Sequence, residues 1–397
     1  MSGGAPRTDA SSPLVFSDVR FPASDELVTG WLATDGLRIA AFGTGRPPAA
    51  APGQLQIDGR GGLLLPGFVD VHLHGAVGYE VMDADPDGLA AIGRFLVTHG
   101  VTSFLATTWT ASPDRTAAAL RVVRTAMAAP RPAGAARVLG VHMEGPHLNL
   151  ARAGAQDATQ IRPADRDESI SHLDSGIVRL MTLAPEIEAN AWLLDELVRR
   201  GITASAGHTD ATYAQIDAAV QRGLAHLTHT YNAMRPLHHR DPGTVGAALT
   251  IDALRCELIA DGWHVDPVAM RLLVRARGVA GVMLVSDAVR PTGLGDGTYP
   301  LDHRTVEVAG GAVRFPDGGL AGSVLTLDAA LRNLVAATAL DAVDLWPVTS
   351  ANAAAGVGVG DRKGRIALGF DADLVLLDAD LAVQATMVEG ELSYTAP

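Results

Sequence analysis

Between residues 66 and 359, short and almost continuously apolar runs alternate with Ala- and Leu-rich stretches of helical character. Such runs are typical of parallel strands that are covered by helices. We count eight of them, at 68–74, 102–107, 138–144, 178–184, 203–208, 225–230, 256–261 and 282–287. Eight strand–helix units in about 290 residues predict an α/β fold, a TIM (β/α)8 barrel.

The two ends of the chain have a different pattern, in which short strand-like runs are separated by Gly, Asp and Pro turns. Because the same pattern occurs at both ends, we expect them to build one small β-sandwich domain from 12–65 and 360–397. The barrel would then occupy 66–359. Residues 1–11, rich in Gly, Ala, Ser and Pro, are predicted to be a disordered tail.

Composition limits the partners and the compartment of the chain. Its net charge of −13 disfavours a nucleic-acid partner, and its 48% of apolar residues are enough for a large core. We expect no membrane span, because no run of about 18 apolar residues exists and the N-terminus lacks the apolar core of a signal peptide. The single cysteine, Cys256, excludes a disulfide framework, and we therefore expect a cytoplasmic protein.

The predicted barrel strands end in metal-binding residue types. Strand one ends in His72 and His74, which are two residues apart and therefore point the same way. Later strands end in the remaining residues of the set, Glu144, His208, His229 and Asp287. Because the C-terminal strand ends of a TIM barrel meet at one rim, these side chains predict a site for one or two divalent metal ions.

The only lysine of the chain, Lys363, limits how two metal ions could be bridged. Many metal-dependent hydrolase barrels use a carboxylated lysine from an inner strand as the bridge. Lys363 lies in a Gly-rich C-terminal segment, far from every predicted barrel strand. A carboxylate must therefore act as the bridge in this chain.

Six motifs together resemble those of the N-acetylglucosamine-6-phosphate deacetylases, which belong to the amidohydrolase superfamily. In chain order they are PGFVDVHLHG at 66–75, HMEGP at 142–146, GHT at 207–209, THTYNAM at 228–234, DGWHVD at 261–266 and VSDA at 285–288. The resemblance covers nearly the whole chain, and the EGP and YNAM segments separate this family from other amidohydrolases. The family uses a glutamate in place of the bridging lysine.

The resemblance implies a division of the metal ligands. Glu144, His208 and His229 are similar to the ligands of the main metal ion. His72 and His74 are similar to the ligands of a second ion, which some members bind and others lack. Zinc is the expected metal, and iron, manganese and cobalt are compatible with the same ligands.

Asp287 resembles the catalytic acid/base of the family and also counts among its metal ligands. A carboxylate there can take a proton from water that a divalent metal has acidified, and can return it to the departing amine. The implied reaction is hydrolysis of the N-acetyl group of N-acetylglucosamine 6-phosphate. Its products, glucosamine 6-phosphate and acetate, belong to amino-sugar catabolism or cell-wall sugar recycling.

The resemblance also implies the substrate contacts, which are Asn232, the backbone of Ala233, His264, Gln156 and Leu320. Arg240 is similar to an arginine that reaches the phosphate across a dimer interface. We therefore expect a homodimer that binds a phosphorylated amino sugar. An arginine suits a phosphate monoester because its planar fork donates two hydrogen bonds at once.

Gln156 departs from the family pattern, which usually places a histidine after Gly-Ala or Gly-Thr. Glutamine can donate an N–H to a developing oxyanion, but it cannot carry a proton. Three consequences stay open: reduced activity, a related substrate such as N-acetylgalactosamine 6-phosphate or a non-phosphorylated N-acyl compound, or replacement by a neighbouring histidine such as His147. A non-catalytic homologue that binds sugar phosphate is a further alternative.

Overall fold

The computed structural model describes residues 13–23, 26–49 and 54–397. The β-strands of these residues are β1 Leu14–Ala23, β2 Glu26–Asp35, β3 Arg38–Thr44, β4 Leu55–Pro66, β5 Phe68–Leu73, β6 Gly75–Ala76, β7 Tyr79–Glu80, β8 Val101–Thr108, β9 Arg137–Glu144, β10 Val178–Leu183, β11 Thr203–Ala206, β12 Leu224–Leu227, β13 Arg255–Leu258, β14 Val282–Leu284, β15 Gly297–Leu301, β16 Arg304–Ala309, β17 Ala312–Arg314, β18 Leu320–Ser323, β19 Leu374–Leu377, β20 Val383–Val388 and β21 Glu391–Thr395. The α-helices are α1 Pro86–Val97, α2 Pro113–Ala128, α3 Arg166–Leu173, α4 Ala191–Arg199, α5 Tyr213–Gln221, α6 Gly243–Thr250, α7 Pro267–Arg277, α8 Leu327–Thr338, α9 Ala342–Leu345 and α10 Ala351–Gly356. None of these helices is long and apolar enough to cross a membrane.

Eight parallel strands form the barrel that the sequence predicts, in the order β5, β8, β9, β10, β11, β12, β13 and β14. The cylinder closes just beyond β14, where the Asp287 N–H donates to the His72 carbonyl at 2.8 Å. The His74 N–H donates to the Ala288 carbonyl, also at 2.8 Å. The TIM-barrel prediction is therefore confirmed.

The helices between the strands begin and pack as their sequences dictate. In α2, the Ser112 side chain accepts the Arg115 N–H and Pro113 follows in the first turn, a favourable helix start. Its buried residues recur at helical spacing and form one stripe: Thr116, Ala119, Leu120 and Val123. The stripe covers the barrel strands and leaves the polar face of the helix to solvent.

Strands from both chain ends form one seven-stranded sheet, in the order β21, β20, β19, β4, β1, β2 and β3. Along β4 the side chains alternate between two cores: Leu63 and Leu65 belong to the barrel core, and Leu64 belongs to a separate core of the small β domain. The predicted small domain built from both chain ends is thus confirmed. Its predicted boundaries, 12–65 and 360–397, stay a prediction, and the predicted tail, 1–11, lies outside the described residues.

Lys363 lies at the junction of this sheet with the barrel, and its side chain is buried. Its Nζ lies 2.6 Å from Asp373 Oδ2, 2.9 Å from Asp371 Oδ2 and 3.6 Å from Glu389 Oε1. The Glu389 carboxylate also pairs with Arg137 of barrel strand β9 at 2.5 Å. Lys363 and its three carboxylate partners thus all belong to the C-terminal segment, and the Glu389–Arg137 pair links this cluster to the barrel.

A four-stranded antiparallel sheet, β15 to β18, is inserted between β14 and α8. The insertion is not predicted from the sequence. Its last strand is bridged to Ala288 through Ser323, and the Ser323 N–H donates to the Asp287 carbonyl at 2.8 Å. The insertion thereby places Leu320 and Gly322 against the cavity at the barrel rim.

Candidate active site

Three of the predicted site residues have left-handed backbone conformations just beyond their strands. The φ angles are +48° at His208, +33° at His229 and +50° at Asp287. Side chains other than glycine rarely adopt this region, and each instance costs on the order of 1–3 kcal/mol. The turn ends the strands two to three residues earlier than the sequence predicts, and it aims these side chains into the rim.

Glu144, at the end of β9, occupies the centre of the site. Its Oε1 lies 3.2 Å from His208 Nε2 and 3.0 Å from His229 Nε2. Its Oε2 lies 3.2 Å from His74 Nε2. His72 Nε2 lies 3.5 Å from Oε1, so one buried carboxylate faces the imidazoles of both histidine groups and could contribute a ligand oxygen to either.

His72 and His74 project side by side from the end of β5, as their spacing predicts. Their Nε2 atoms lie 3.4 and 3.3 Å from Asp287 Oδ1. Both Nε2 atoms are buried, and neither makes a hydrogen bond within the part of the chain that the structure describes. Unsatisfied buried imidazole nitrogens that face carboxylates fit a divalent cation, because imidazole and carboxylate together suit zinc and similar metals.

The electrostatics of the site favour a cation. Burial lowers the pKa of His72, but Glu144, Asp287 and Glu257 outweigh burial and raise the pKa well above its ordinary value. Burial raises the pKa of Glu144, but the surrounding imidazoles hold it well below its usual range. The pKa of Asp287 is likewise lowered, because His72 and His74 outweigh burial. The carboxylates therefore stay ionised, and they stabilise positive charge among the imidazoles.

A cavity of about 180 Å³ opens above this centre. Most of the predicted site residues line it: Glu144, Gln156, His208, His229, Asn232, Ala233, His264, Asp287 and Leu320. His72 and His74 lie buried beneath it, against Glu144 and Asp287. The structure thus brings together all of the predicted residues except Arg240.

Arg240 is exposed in the loop before α6 and does not line the cavity of its own chain. Its Nη1 lies 2.8 Å from His239 Nε2, also on the surface. Among the described residues that line the cavity, none is an arginine or a lysine. A phosphate in this cavity would therefore meet no arginine from its own chain.

Gln156 is buried and held on both sides. Its Nε2 donates to Glu144 Oε2 at 2.5 Å, and its Oε1 accepts the Thr110 N–H at 2.8 Å. The alternative in which His147 takes the place of a family histidine is wrong. The ring nitrogens of His147 lie 3.2 Å from the Arg162 carbonyl and 3.0 Å from the Ser169 hydroxyl, away from the cavity.

His264 lies at the cavity wall with its Nδ1 2.6 Å from Asp261 Oδ2. Burial lowers the pKa of His264, but the bond to Asp261 outweighs burial and raises it above its ordinary value. The Asp261 carboxylate also accepts the backbone N–H of His264 at 2.8 Å, which fixes the loop. The cavity therefore contains an imidazole whose cationic form is stabilised by Asp261.

Two residues of the site are not predicted from the sequence. Trp109, just beyond β8, stacks on His74 with ring centroids 3.9 Å apart, and its indole N–H donates to Glu80. Glu257, within β13, lies 2.9 Å from His72 Nδ1. The strand-end position of Trp109 could have identified it, and a carboxylate inside an apolar strand is the signal that Glu257 offers.

Comparisons with known proteins agree with this geometry. The amidohydrolase family model matches residues 63–393. The N-acetylglucosamine-6-phosphate deacetylase of Bacillus subtilis is 37% identical over 96% of this chain and 97% of its own length. The N-acetylgalactosamine-6-phosphate deacetylase of Escherichia coli O157:H7 is 37% identical over 92% of this chain and 96% of its own.

The solved structure of a relative has the same fold as this chain. A mutant of the Mycobacterium smegmatis N-acetyl-D-glucosamine-6-phosphate deacetylase, in complex with N-acetyl-D-glucosamine-6-phosphate, superposes with a TM-score of 0.89. It is 33% identical and covers 98% of this chain and 100% of its own. The chain therefore belongs to the amidohydrolase family and, within it, to the family of the N-acetylglucosamine-6-phosphate deacetylases.

Proposed function

We propose that this chain hydrolyses the N-acetyl group of N-acetylglucosamine 6-phosphate and releases glucosamine 6-phosphate and acetate. The observation that carries the proposal is the convergence of four histidines on Glu144 and Asp287 beneath a cavity of about 180 Å³. Relatives of similar length at 37% identity bear the name of this activity. A cytoplasmic location is part of the proposal, since the only cysteine, Cys256, is buried and free.

Two groups of side chains would hold divalent metal ions, with zinc as the first choice. Glu144, His208 and His229 bring ligand atoms within 4.8 Å of one another, and so do His72, His74 and Glu144. When bound, a divalent cation lowers the pKa of a coordinated water to about 7 and polarises the amide carbonyl. Elemental analysis of the purified protein, together with acetate release on reconstitution, tests both the identity and the number of the ions.

Asp287 would move the proton. Its carboxylate is ionised and faces the centre, so that it can accept a proton from the attacking water as the new C–O bond forms. It then returns this proton to the nitrogen as the C–N bond breaks, because an amine leaves poorly unless it is protonated. Asp287→Asn with metal still bound should lower kcat by about 10²–10⁴-fold. Wild-type turnover in this variant would contradict the role.

The phosphate would bind at the far end of the cavity. Asn232, the backbone of Ala233 and His264 line that cavity, and Asp261 stabilises the cationic form of His264. Arg240 of a second copy would supply the guanidinium, because in its own chain Arg240 is exposed and does not line the cavity. The proposed active form is therefore a homodimer in which each chain completes the site of the other.

Subunit mixing tests this dimer. Asp287→Asn and Arg240→Ala are each expected to be nearly inactive on the phosphorylated substrate. When the two variants are unfolded together and refolded at equal amounts, about half of the dimers are mixed, and one site of each mixed dimer is intact. Activity should recover to about a quarter of the wild-type value. Failure to recover, or a fully active monomer in gel filtration, would refute the shared site.

N-acetylgalactosamine 6-phosphate is the second candidate substrate. It is favoured by the E. coli relative with that activity in its name, which is as similar to this chain as the B. subtilis relative. Values of kcat/KM for the two epimers, each with and without the 6-phosphate, decide between them. A preference for the galactosamine epimer would replace the leading substrate, and equal rates without phosphate would refute both.

A further inference from the structure

Glu257 is a buried carboxylate beneath the metal-type centre, and it belongs to none of the motifs that identify the family. Its side chain is 0% exposed, at the middle of β13 inside the barrel. It does not line the cavity, so it does not touch a substrate bound there. A carboxylate in this position is costly to bury and therefore calls for a specific role.

One oxygen of Glu257 makes both of its side-chain contacts. Its Oε2 lies 2.9 Å from His72 Nδ1 and accepts the backbone N–H of His229 at 3.1 Å. Its Oε1 makes no hydrogen bond within the described residues. An ionised carboxylate can only accept hydrogen bonds, so Nδ1 of His72 carries the proton that it donates to Oε2.

This assignment decides what the other nitrogen of His72 can do. A neutral imidazole that is protonated at Nδ1 has its lone pair at Nε2. That nitrogen faces Glu144 Oε1 at 3.5 Å and Asp287 Oδ1 at 3.4 Å. The carboxylate therefore turns the electron pair of His72 toward the centre, and its negative charge makes this nitrogen a stronger ligand.

The contacts of Glu257 differ between the two halves of the site. It touches the imidazole of His72, but it touches only the backbone of His229 and makes no contact with the imidazole of His208. Nδ1 of His208 instead lies 2.9 Å from the Arg152 carbonyl. Removing the charge of Glu257 should consequently weaken one half of the site and spare the other.

We propose that Glu257 is a positioning residue that fixes the tautomer and the basicity of His72. It thereby strengthens binding of the ion held by His72 and His74 and leaves the affinity for the other ion nearly unchanged. The inference rests on the proposed metal binding of the site. It adds a residue that decides how tightly the second ion is held and hence whether the chain works with one ion or two.

Glu257→Gln is the informative variant. The amide oxygen of glutamine can still accept both N–H groups, so that the position of His72 is kept while the charge is lost. The matched control is Glu186→Gln, which removes the same charge from a carboxylate near the same rim. Glu186 bonds to Asn149, Thr209 and Asp210 and to none of the imidazoles.

The experiment titrates zinc into metal-free wild type, Glu257→Gln and Glu186→Gln by calorimetry, with bound zinc counted by elemental analysis. We expect two ions in the wild type and in the control. In Glu257→Gln, we expect affinity for one ion to fall by about 10–100-fold and affinity for the other to change by less than about threefold. Wild-type affinity for both ions in Glu257→Gln would overturn the proposal, and so would a wild type that binds only one ion.

A second measurement needs no folded variant at position 257. Long-range ¹H–¹⁵N spectra of the wild-type histidines report their tautomers, and the His72 signal is assigned by its loss in His72→Asn. A proton on Nδ1 of His72 supports the proposal, and a proton on Nε2 in the metal-loaded protein overturns it. A wild type that binds no zinc refutes the proposed function itself, which separates that failure from a failure of the inference.

Discussion

Replacing Lys363 with methionine should destabilise the protein strongly, even though this residue does not line the cavity of the candidate active site. Methionine has a similar volume, so that packing is nearly kept while the charge is lost. Lys363 is 1% exposed, and its ammonium lies between the carboxylates of Asp373, Asp371 and Glu389. Glu389 in turn pairs with Arg137 of barrel strand β9, which links this cluster to the barrel.

The remaining partners of the three carboxylates set the magnitude. Asp371 keeps its ion pair with Arg38, and Glu389 keeps Arg137. Asp373 keeps only the backbone N–H of Glu389, at 2.7 Å. The variant therefore leaves one buried carboxylate, that of Asp373, without a compensating charge. Breaking a buried ion pair in this way costs about 3–5 kcal/mol of folding free energy.

The pH dependence of this loss follows from Asp373. Burial already raises the pKa of Asp373, and Lys363 opposes that rise. Without Lys363 the folded-state pKa rises further above the unfolded-state value, which destabilises the folded protein at any pH where the unfolded carboxyl is ionised. The cost of Lys363→Met should thus be largest above the raised folded-state pKa of Asp373 and should shrink as the pH falls through it.

Urea unfolding followed by circular dichroism measures the effect. The matched control is Arg362→Met, because Arg362 is a neighbouring exposed residue, 3.5 Å from Asp371, and an exposed ion pair contributes about 0–1 kcal/mol. The double variant Lys363→Met, Asp373→Asn should recover about half of the loss. A free energy of unfolding for Lys363→Met within about 1 kcal/mol of the control would refute the reasoning.

Three further outcomes concern the site. Dialysis against a chelator should abolish acetate release, and added zinc should restore it, since folded ligands without metal retain no source of activated water. Gly207→Ala would place a Cβ 2.7 Å from Thr228 Cβ, so that His208 must shift; we expect kcat/KM to fall by about 10²-fold, and an unchanged value would contradict this. Because Asp261 raises the pKa of His264, the imidazole is cationic below that raised pKa; the KM of a phosphorylated substrate should rise as the pH passes above it, and His264→Gln should remove this dependence.

The barrel and most of the candidate site could be predicted from the sequence because both follow local rules. A run such as 138–144 is apolar enough to be a buried strand, and a parallel barrel brings all strand ends to one rim. His72 and His74 needed only the two-residue period of a strand. The structure confirms the fold and places these side chains together.

Other features depend on contacts that no local pattern contains. Glu257 lies 185 positions from His72 in the chain, and only the closed barrel brings the two together. The strands of the inserted sheet are three to six residues long, too short for a reliable periodicity. The orientation of His147 follows from Ser169, a neighbour on α3 that its own motif does not reveal.

The hydrogen bond between the Asp287 N–H and the His72 carbonyl gives Asp287 two roles, one in the fold and one in the proposed reaction. This hydrogen bond helps to close the barrel between its last and first strands. The same residue, Asp287, carries the carboxylate that is proposed to move the proton. A folding intermediate in which this hydrogen bond has not formed would have its other metal ligands near their final positions but would lack a correctly placed acid/base. During refolding, catalytic turnover should therefore recover when the barrel closes between its last and first strands, and later than the secondary structure.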